Sequence, residues 1–179
     1  MLNQMSGYVD GCIEFYDDTH TQLYSRDYIL IRNTDESGTF DKGCWSYIGF
    51  VHPDIYQPIN LVGYYGTNCF GKTETQRQML HALGFHYEHR RPDRDEYVDV
   101  LYENISPFWQ GKYRKMDASI WDSYETIYDY RSIMHFWGDS HRTYEAKKAE
   151  TYSMVYKGTN DPVRPGTQQM SSTDIIQLT

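Results

Sequence analysis

The chain has few cysteines, few basic residues and no long apolar run, and each shortage excludes a class of protein. Its 179 residues include three cysteines, too few for a disulfide-dense miniprotein and an odd number for complete pairing. Lys and Arg number 17 against 25 Asp and Glu, and the net charge of -8 argues against a nucleic acid or an anionic membrane as partner. No apolar run reaches the roughly 18 residues that span a membrane.

What the chain does have is enough apolar surface for one folded domain. Hydrophobic residues make up 39% and aromatic residues 16%, which excludes a disordered or low-complexity chain. The length suits one domain and no repeat or linker is present, so we expect a single domain over residues 1–179. The first residues lack the regions of a signal peptide. Two alternatives remain: a cytosolic protein with free thiols, or a chain whose ends are missing.

Short β-branched and aromatic runs predict strands in the first half of the chain. They are Tyr28–Arg32, Tyr47–Val51 and Ile59–Val62, and turn or proline-containing segments separate them. A helix is predicted over Thr73–Leu83, where apolar residues recur at helical spacing and Gly84 follows as a stop.

The second half of the chain is less regular. A strand is predicted at Tyr97–Tyr102 and a short helix between Phe108 and Lys115, and no element is predicted after His135. The order of the predicted elements favours an α+β fold over a parallel βαβ fold, because strands come first, then one central helix, then an irregular half.

The predicted helix and the residues after it carry the candidate chemistry. Metzincin zinc peptidases use His-Glu-x-x-His-x-x-Gly-x-x-His, in which the three histidines bind zinc and the glutamate is the general base. The corresponding segment here reads Arg77-Gln78-Met-Leu-His81-Ala-Leu-Gly84-Phe-His-Tyr87. His81 and Gly84 match the pattern. Arg77, Gln78 and Tyr87 stand at the first histidine, the glutamate and the third histidine, so the motif alone argues against a zinc site.

The surroundings of this segment nevertheless resemble the astacin family of metallopeptidases. Glu88-His89 and Asp93–Val98 resemble the residues that follow the family's zinc motif, and Tyr128–Phe136 resembles its Met-turn. The similarity also includes Gly43–Gly49, Asn68-Cys69 and Ser171–Leu178, which looks like the family's C-terminal helix, and it runs from about Cys12 to the last residue. The resemblance implies a metzincin α+β fold: an N-terminal mixed twisted sheet with the active-site helix, then an irregular C-terminal half with the Met-turn.

The residues that differ from the family pattern stand at the positions that carry its catalytic chemistry. The guanidinium of Arg77 stays protonated and is no metal ligand. Gln78 has the shape of glutamate without its basicity, and Tyr87 could bind zinc only as a phenolate. Phe136 stands where the family's Met-turn has a tyrosine that binds zinc or stabilises the transition state. We therefore expect Gln78 and Phe136 to be non-functional, and zinc, the family's cofactor, to be absent or weakly bound.

Two further histidines lie near the motif. His86 is one residue before the third ligand position, and together with His81 it would supply two protein ligands, where a catalytic zinc site needs three and a water. We therefore treat it as a weak candidate ligand. His86 and His89 could also form an exposed metal-binding pair, and solvated loop residues are the simpler interpretation.

The resemblance also assigns structural roles to nearby residues. Glu88 matches a family residue that holds the freed N-terminus, and here we expect it to pair with Arg77 or Arg91, at the surface and worth about 0–1 kcal/mol. Met134 is expected as an apolar floor beneath the metal position. Ile59–Val62 is expected at the edge of the sheet, either as a simple edge or as a strand to which an extended peptide could add.

The family resemblance resolves the odd cysteine count. It implies that Cys44 pairs with Cys69, and that Cys12 is unpaired because its partner lies just beyond Thr179. On this interpretation the chain lacks the family's first strand and its last few residues, and the protein is extracellular.

Three functional hypotheses follow. The preferred one is a catalytically inactive astacin-like domain that binds peptides or proteins through the inherited cleft, as a monomer. The first alternative is an active or residually active secreted zinc metalloendopeptidase with altered ligands. The second is a truncated or decayed gene product. Zinc content and chelator-sensitive hydrolysis distinguish the first two.

Overall fold

A computed structural model of the protein describes residues 28–34, 43–51, 56–63, 69–123, 125–165 and 169–178. The chain divides into two compact units: a first unit of Met1–His86 with Leu178–Thr179, and a second unit of Tyr87–Gln177. Cys12 lies outside the described residues. None of the helices formed by those residues is long and apolar enough to cross a membrane.

The first unit contains the mixed sheet that the resemblance implies. Its strands are β1 (Ile29–Arg32), β2 (Trp45–Ser46) and β3 (Gln57–Asn60), in the order β1-β3-β2. β1 runs parallel to β3, and β2 runs antiparallel to it. The expected combination of strand directions is therefore confirmed.

Pro58 lies inside the central strand of this sheet without breaking a hydrogen-bonded ladder. The backbone N–H of Gln57 donates to Tyr28 O at 2.9 Å, so alternate residues beginning with Gln57 bond to β1. Pro58 faces the opposite side, where pairing with β2 begins only at Ile59. Its missing N–H therefore removes no bond from the ladder.

Two of the predicted strands differ from those observed. Tyr47–Val51 contains no strand, because Gly49 has a φ of +70° and its N–H donates to His81 O at 2.8 Å. The strand predicted at Ile59–Val62 is β3, which begins two residues earlier. The expectation that it is an edge strand was wrong, since β1 and β2 pair with its two sides.

The predicted central helix is confirmed to within one residue at each end. Helix α1 spans Lys72–Ala82 and lies against β2 and β3. It ends before Gly84, which has a φ of +105° and whose N–H donates to His81 O at 2.9 Å. A residue without a Cβ is favoured in that conformation. Met79 and Leu80 of α1 are buried together with Ile59 of the sheet.

A disulfide fastens the sheet of the first unit to the start of α1. Cys44, directly before β2, is joined to Cys69 with a Cα–Cα distance of 5.4 Å. Thr75 in the first turn of α1 donates from Oγ1 to Cys69 O at 3.0 Å. The bridge is the pairing that the family resemblance implies.

The second unit is built from short elements. In chain order they are the 3₁₀ segments Glu88–Arg90 and Arg94–Glu96, strand β4 (Val98–Val100), the 3₁₀ segments Tyr102–Asn104 and Pro107–Tyr113, helix α2 (Tyr144–Lys148), strand β5 (Met154–Tyr156) and helix α3 (Ser172–Ile176). β4 confirms the strand predicted at Tyr97–Tyr102 in a shorter form. The short helix predicted between Phe108 and Lys115 is the 3₁₀ segment that begins at Pro107.

The elements after His135 include two that the sequence pattern did not predict. Helix α2 has only five residues, and it begins where the Thr143 side chain accepts the Ala146 N–H at 3.1 Å. Strand β5 exists because it pairs antiparallel with β4, which lies far earlier in the chain. Helix α3 corresponds to the C-terminal helix of the resemblance.

Candidate functional site

His81 keeps the imidazole of the family's second ligand position, and a backbone carbonyl fixes its ring. The residue is buried in the first unit, and Nδ1 lies 2.7 Å from Phe85 O. Because a carbonyl oxygen only accepts, Nδ1 carries the proton and the lone pair belongs to Nε2. This hydrogen bond fixes both the tautomer and the orientation of the ring, as is common for histidines that bind a metal.

A single carboxylate binds both substituted residues of α1. Glu74 Oε2 accepts from Arg77 Nη1 at 2.5 Å, and Glu74 Oε1 accepts from Gln78 Nε2 at 2.7 Å. Glu74 precedes the two residues by three and four positions, so the three side chains share one face of the helix. This spacing was visible in the sequence, but we did not predict the role of Glu74.

The contact with Glu74 also fixes the orientation of the Gln78 amide. A carboxylate offers only acceptors, so the amide nitrogen faces Glu74 and the amide oxygen faces away. Gln78 is buried, and its Oε1 has no hydrogen-bond partner in the described parts of the chain.

The residues at these positions do not fit a catalytic zinc ion. Such an ion binds three protein ligands drawn from imidazole, thiolate and carboxylate groups, with water as the fourth. Of the three motif positions in α1, only position 81 supplies one, since Arg77 is a cation paired with Glu74 and Gln78 directs its amide nitrogen to the same carboxylate. Among the described residues, no three His, Cys, Asp or Glu side chains are grouped so that they could hold a metal ion. His86 is half-buried, and its role as a ligand stays a prediction.

Tyr87 and Phe136 belong to an aromatic cluster of the second unit. Their ring centroids lie 4.4 Å apart, and Phe136 also stacks on His89 at 4.2 Å. Tyr113 packs edge-on against Phe136 at 5.5 Å. The phenyl ring at the family's Met-turn tyrosine position is therefore held by packing.

His89 is completely buried, so its interpretation as a solvated loop residue was wrong, as was the alternative of an exposed His86–His89 pair. The ring stacks on Phe136, and Nε2 donates to Lys112 O at 3.1 Å. Burial, reinforced by the charges of His135 and Arg94, holds the pKa of His89 well below its usual value. The imidazole is therefore a neutral part of the core.

Met134 is buried, and the backbone of the turn that contains it is tightly hydrogen-bonded. Its carbonyl accepts the Glu88 N–H at 3.2 Å, and Ser132 Oγ accepts the Met134 N–H at 3.0 Å. Asp174 of α3 in turn accepts from Ser132 Oγ at 2.6 Å and from Ile133 N at 2.9 Å. We did not predict this role of Asp174, although the capping pattern Ser-x-x-Asp that contains it is a readable signal.

Glu88 pairs with Arg91, one of its two expected partners. Its Oε1 lies 3.3 Å from Arg91 Nη1 and accepts the Asp129 N–H at 2.8 Å. The expectation of a surface ion pair was wrong, because Glu88 and Arg91 are only 5% and 2% exposed. Burial raises the pKa of Glu88 to about 7, although the backbone hydrogen bond and Arg91 oppose this shift.

The mixed sheet and the helix that ends at Gly84, in the first unit, are features of the α+β metzincin fold, as is the buried turn at Met134 in the second unit. The model of the family Astacin, a peptidase family, matches residues 3–179. The chain belongs to the astacin family. This family is zinc-dependent, and its members act on peptides or proteins and are typically secreted or extracellular.

Individual relatives support the same assignment. Zinc metalloproteinase nas-12 of Caenorhabditis elegans is 32% identical over 173 residues, which is 94% of this chain and 39% of the relative. Meprin A subunit beta of Mus musculus is 38% identical over 94 residues, 52% of this chain and 13% of the relative. The chain therefore spans less than half the length of both.

A solved structure is similar over almost the whole chain. It is high choriolytic enzyme 1, a hatching enzyme zinc-protease from Oryzias latipes (medaka fish). The TM-score is 0.73 with 28% sequence identity, and the match covers 98% of this chain and 79% of the other.

Proposed function

We propose that this astacin domain binds peptides or proteins through its inherited cleft without cleaving them. The observation that carries the proposal is the amide of Gln78 at the family's general-base position, with its nitrogen donating to Glu74. A general base must take a proton from water, and an uncharged amide lacks the basicity to do so.

The proposal includes the absence or weak binding of zinc. Arg77 and Tyr87 replace two imidazole ligands, and Phe136 lacks the hydroxyl of the family's Met-turn tyrosine. Loss of three groups that act on one metal ion and its substrate supports loss of turnover more strongly than any single substitution. We further propose an extracellular monomer, in keeping with the family and with a net charge of -8 that does not favour nucleic acid.

Zinc content and proteolysis test this proposal together. The protein is dialysed against zinc-containing buffer, its bound zinc is measured by mass spectrometry, and fluorescein-labelled casein is added with and without chelator. We expect substoichiometric zinc, a rise in fluorescence polarisation as casein binds, and no chelator-sensitive cleavage. Stoichiometric zinc with chelator-sensitive hydrolysis would contradict the proposal.

Restoring the ligands provides a second arm of the same test. The triple change Arg77→His, Gln78→Glu and Tyr87→His should restore zinc binding with weak activity, since Phe136 still lacks a hydroxyl and the new carboxylate at position 78 lies against Glu74. Adding His81→Gln to this variant is the matched control, and it should abolish the regained binding. A folded triple variant that binds no zinc would show that the ligand geometry is not inherited.

One observation favours residual zinc-dependent activity as a second candidate. The hydrogen bond from His81 Nδ1 to Phe85 O leaves the imidazole in the tautomer that can bind a metal through Nε2. Under this alternative the His81→Gln change alone would lower the zinc content of the unmodified chain.

A further inference from the structure

We propose that Glu74 is a positioning residue that makes a neutral amide at position 78 more stable than a carboxylate in this chain. The loss of the general base would then depend on two residues of α1, Glu74 and Gln78, and not on Gln78 alone. This inference rests on the proposed function, but it is tested by a measurement of stability and not of zinc content or proteolysis.

Both oxygens of the Glu74 carboxylate are already used. Oε2 accepts from Arg77 at 2.5 Å and Oε1 accepts from Gln78 at 2.7 Å. The side chains of Arg77 and Glu74 are 15% and 24% exposed, and Gln78 is buried. The three groups therefore interact with little screening by water, so a change of charge at one has a large effect on the others.

A carboxylate at position 78 is incompatible with this arrangement. A glutamate there would have no N–H to donate, and its oxygen would replace the amide nitrogen that now lies 2.7 Å from Glu74 Oε1. Two carboxylates in such close contact cannot both stay ionised without strong repulsion. Like charges four residues apart destabilise a helix even at the surface.

The two ends of the Gln78 amide differ, since its N–H group makes a hydrogen bond and its oxygen does not. Gln78 Oε1 is buried and lacks a hydrogen-bond partner within the described residues, which is unfavourable for a polar atom. The favourable contact is the Nε2 donation to Glu74. The stabilising contact of this side chain is therefore made by its nitrogen end, the end at which glutamine differs from the family's glutamate.

A double-mutant cycle tests the proposal. Thermal unfolding is compared for the unmodified chain, Glu74→Gln, Gln78→Glu and the double variant that exchanges the two side chains. We expect Gln78→Glu to lower Tm by about 4 °C or more. In the Glu74→Gln background the same change should be neutral or stabilising, because the glutamine at 74 can donate to the new carboxylate.

Gln110→Glu is the matched control, because it also removes an amide that donates to oxygen acceptors. Gln110 Nε2 donates to Tyr102 O at 3.0 Å and to Ile105 O at 3.3 Å, in the second unit. Its effect on Tm should be the same with Glu74 and with Glu74→Gln, since non-interacting sites add.

A nuclear magnetic resonance measurement separates positioning from a general effect on helix stability. The Gln78 Nε2 protons should exchange slowly with solvent in the unmodified chain and faster in Glu74→Ala at a temperature where both are fully folded.

Equal costs of Gln78→Glu in the two backgrounds would overturn the proposal. That result would mean that Arg77 or another group neutralises the added carboxylate. Unchanged exchange of the Gln78 amide protons in Glu74→Ala would also overturn it. Neither result depends on bound zinc or casein cleavage, so failure of this inference and failure of the proposed function are distinguishable.

Discussion

Arg94 shows how one buried polar side chain can organise a region with little regular structure. Its Nη1 donates to the carbonyl oxygens of His89 and Tyr113, and its Nε donates to Asp95 at 2.9 Å. Arg94 is 4% exposed. The guanidinium therefore connects two separate 3₁₀ segments by donating to a buried carbonyl group of each.

Arg94→Met keeps most of the volume of this side chain and removes its donors. We expect a loss of about 2–4 kcal/mol in the free energy of unfolding, because the buried His89 O loses the Arg94 donor and Tyr113 O keeps the bond from Tyr102 Oη. Urea unfolding measures the loss. Arg164→Met is the control, since the Arg164 side chain is exposed, and it should change stability by about 0.5 kcal/mol or less. Equal effects would contradict the role assigned to Arg94.

At the scale of elements, α1 depends on the backbone conformation that ends it. Gly84 has a φ of +105°, and within the described parts of the chain a Cβ built there would meet only Gly49 Cα, at 4.0 Å. The available space is therefore sufficient for a methyl group. What restricts the position to glycine is the dihedral angle, which residues with a Cβ adopt only with strain.

Gly84→Ala should therefore destabilise the protein by about 1–2 kcal/mol through backbone strain. Gly111→Ala is the matched control. No atom of the described residues lies within 4 Å of a Cβ built at Gly111, and its φ is not positive, so this change should be neutral or slightly stabilising. Chemical denaturation measures both. A harmless Gly84→Ala would mean that the chain can end α1 without this conformation.

The elements differ in how far local pattern determined them. α1 was predicted closely because its apolar spacing and its stop signal are both local. Tyr47–Val51 has the composition of a strand, but Gly49 bends the backbone to donate its N–H to α1. β5 was missed because three residues carry little pattern and the strand forms only against β4.

At the scale of the whole molecule, buried neutral histidines make stability depend on pH. Burial lowers the pKa of His135 to about 4. Its Nδ1–H donates to Phe136 O at 2.7 Å, and Nε2 accepts from Tyr128 Oη at 2.6 Å. Since the folded-state pKa lies below the unfolded value near 6.5, the unfolded chain binds more protons between these values. Stability contributed by His135 is therefore lost as pH falls through this range.

His135→Gln should remove this contribution to acid sensitivity. The variant is expected to be less stable than the unmodified chain near neutral pH, and the difference should shrink by about 2–3 kcal/mol between roughly pH 6.5 and pH 4.5. Urea unfolding across this range measures it. Glu88, with a pKa raised to about 7 by burial, acts in the opposite direction in both proteins. A difference that stays constant with pH would contradict the prediction.

The candidate site was predictable at the level of residue identity. Comparison with one motif showed that Arg77, Gln78 and Tyr87 differ from it and that His81 matches its second histidine. Their partners were harder to predict. The contacts of Glu74 could have been predicted from helical spacing. The burial of His89 against Phe136, in contrast, depends on contacts across the second unit.

The sequence by itself determined the family, the α+β class and the central helix, because these follow from local order and residue chemistry. The tertiary structure decided that Ile59 lies in a central strand, that the Glu88–Arg91 pair is buried, and that one carboxylate binds both substituted residues of α1. Strand order, burial and side-chain rotamer depend on which distant segments meet, and a local pattern does not contain that information.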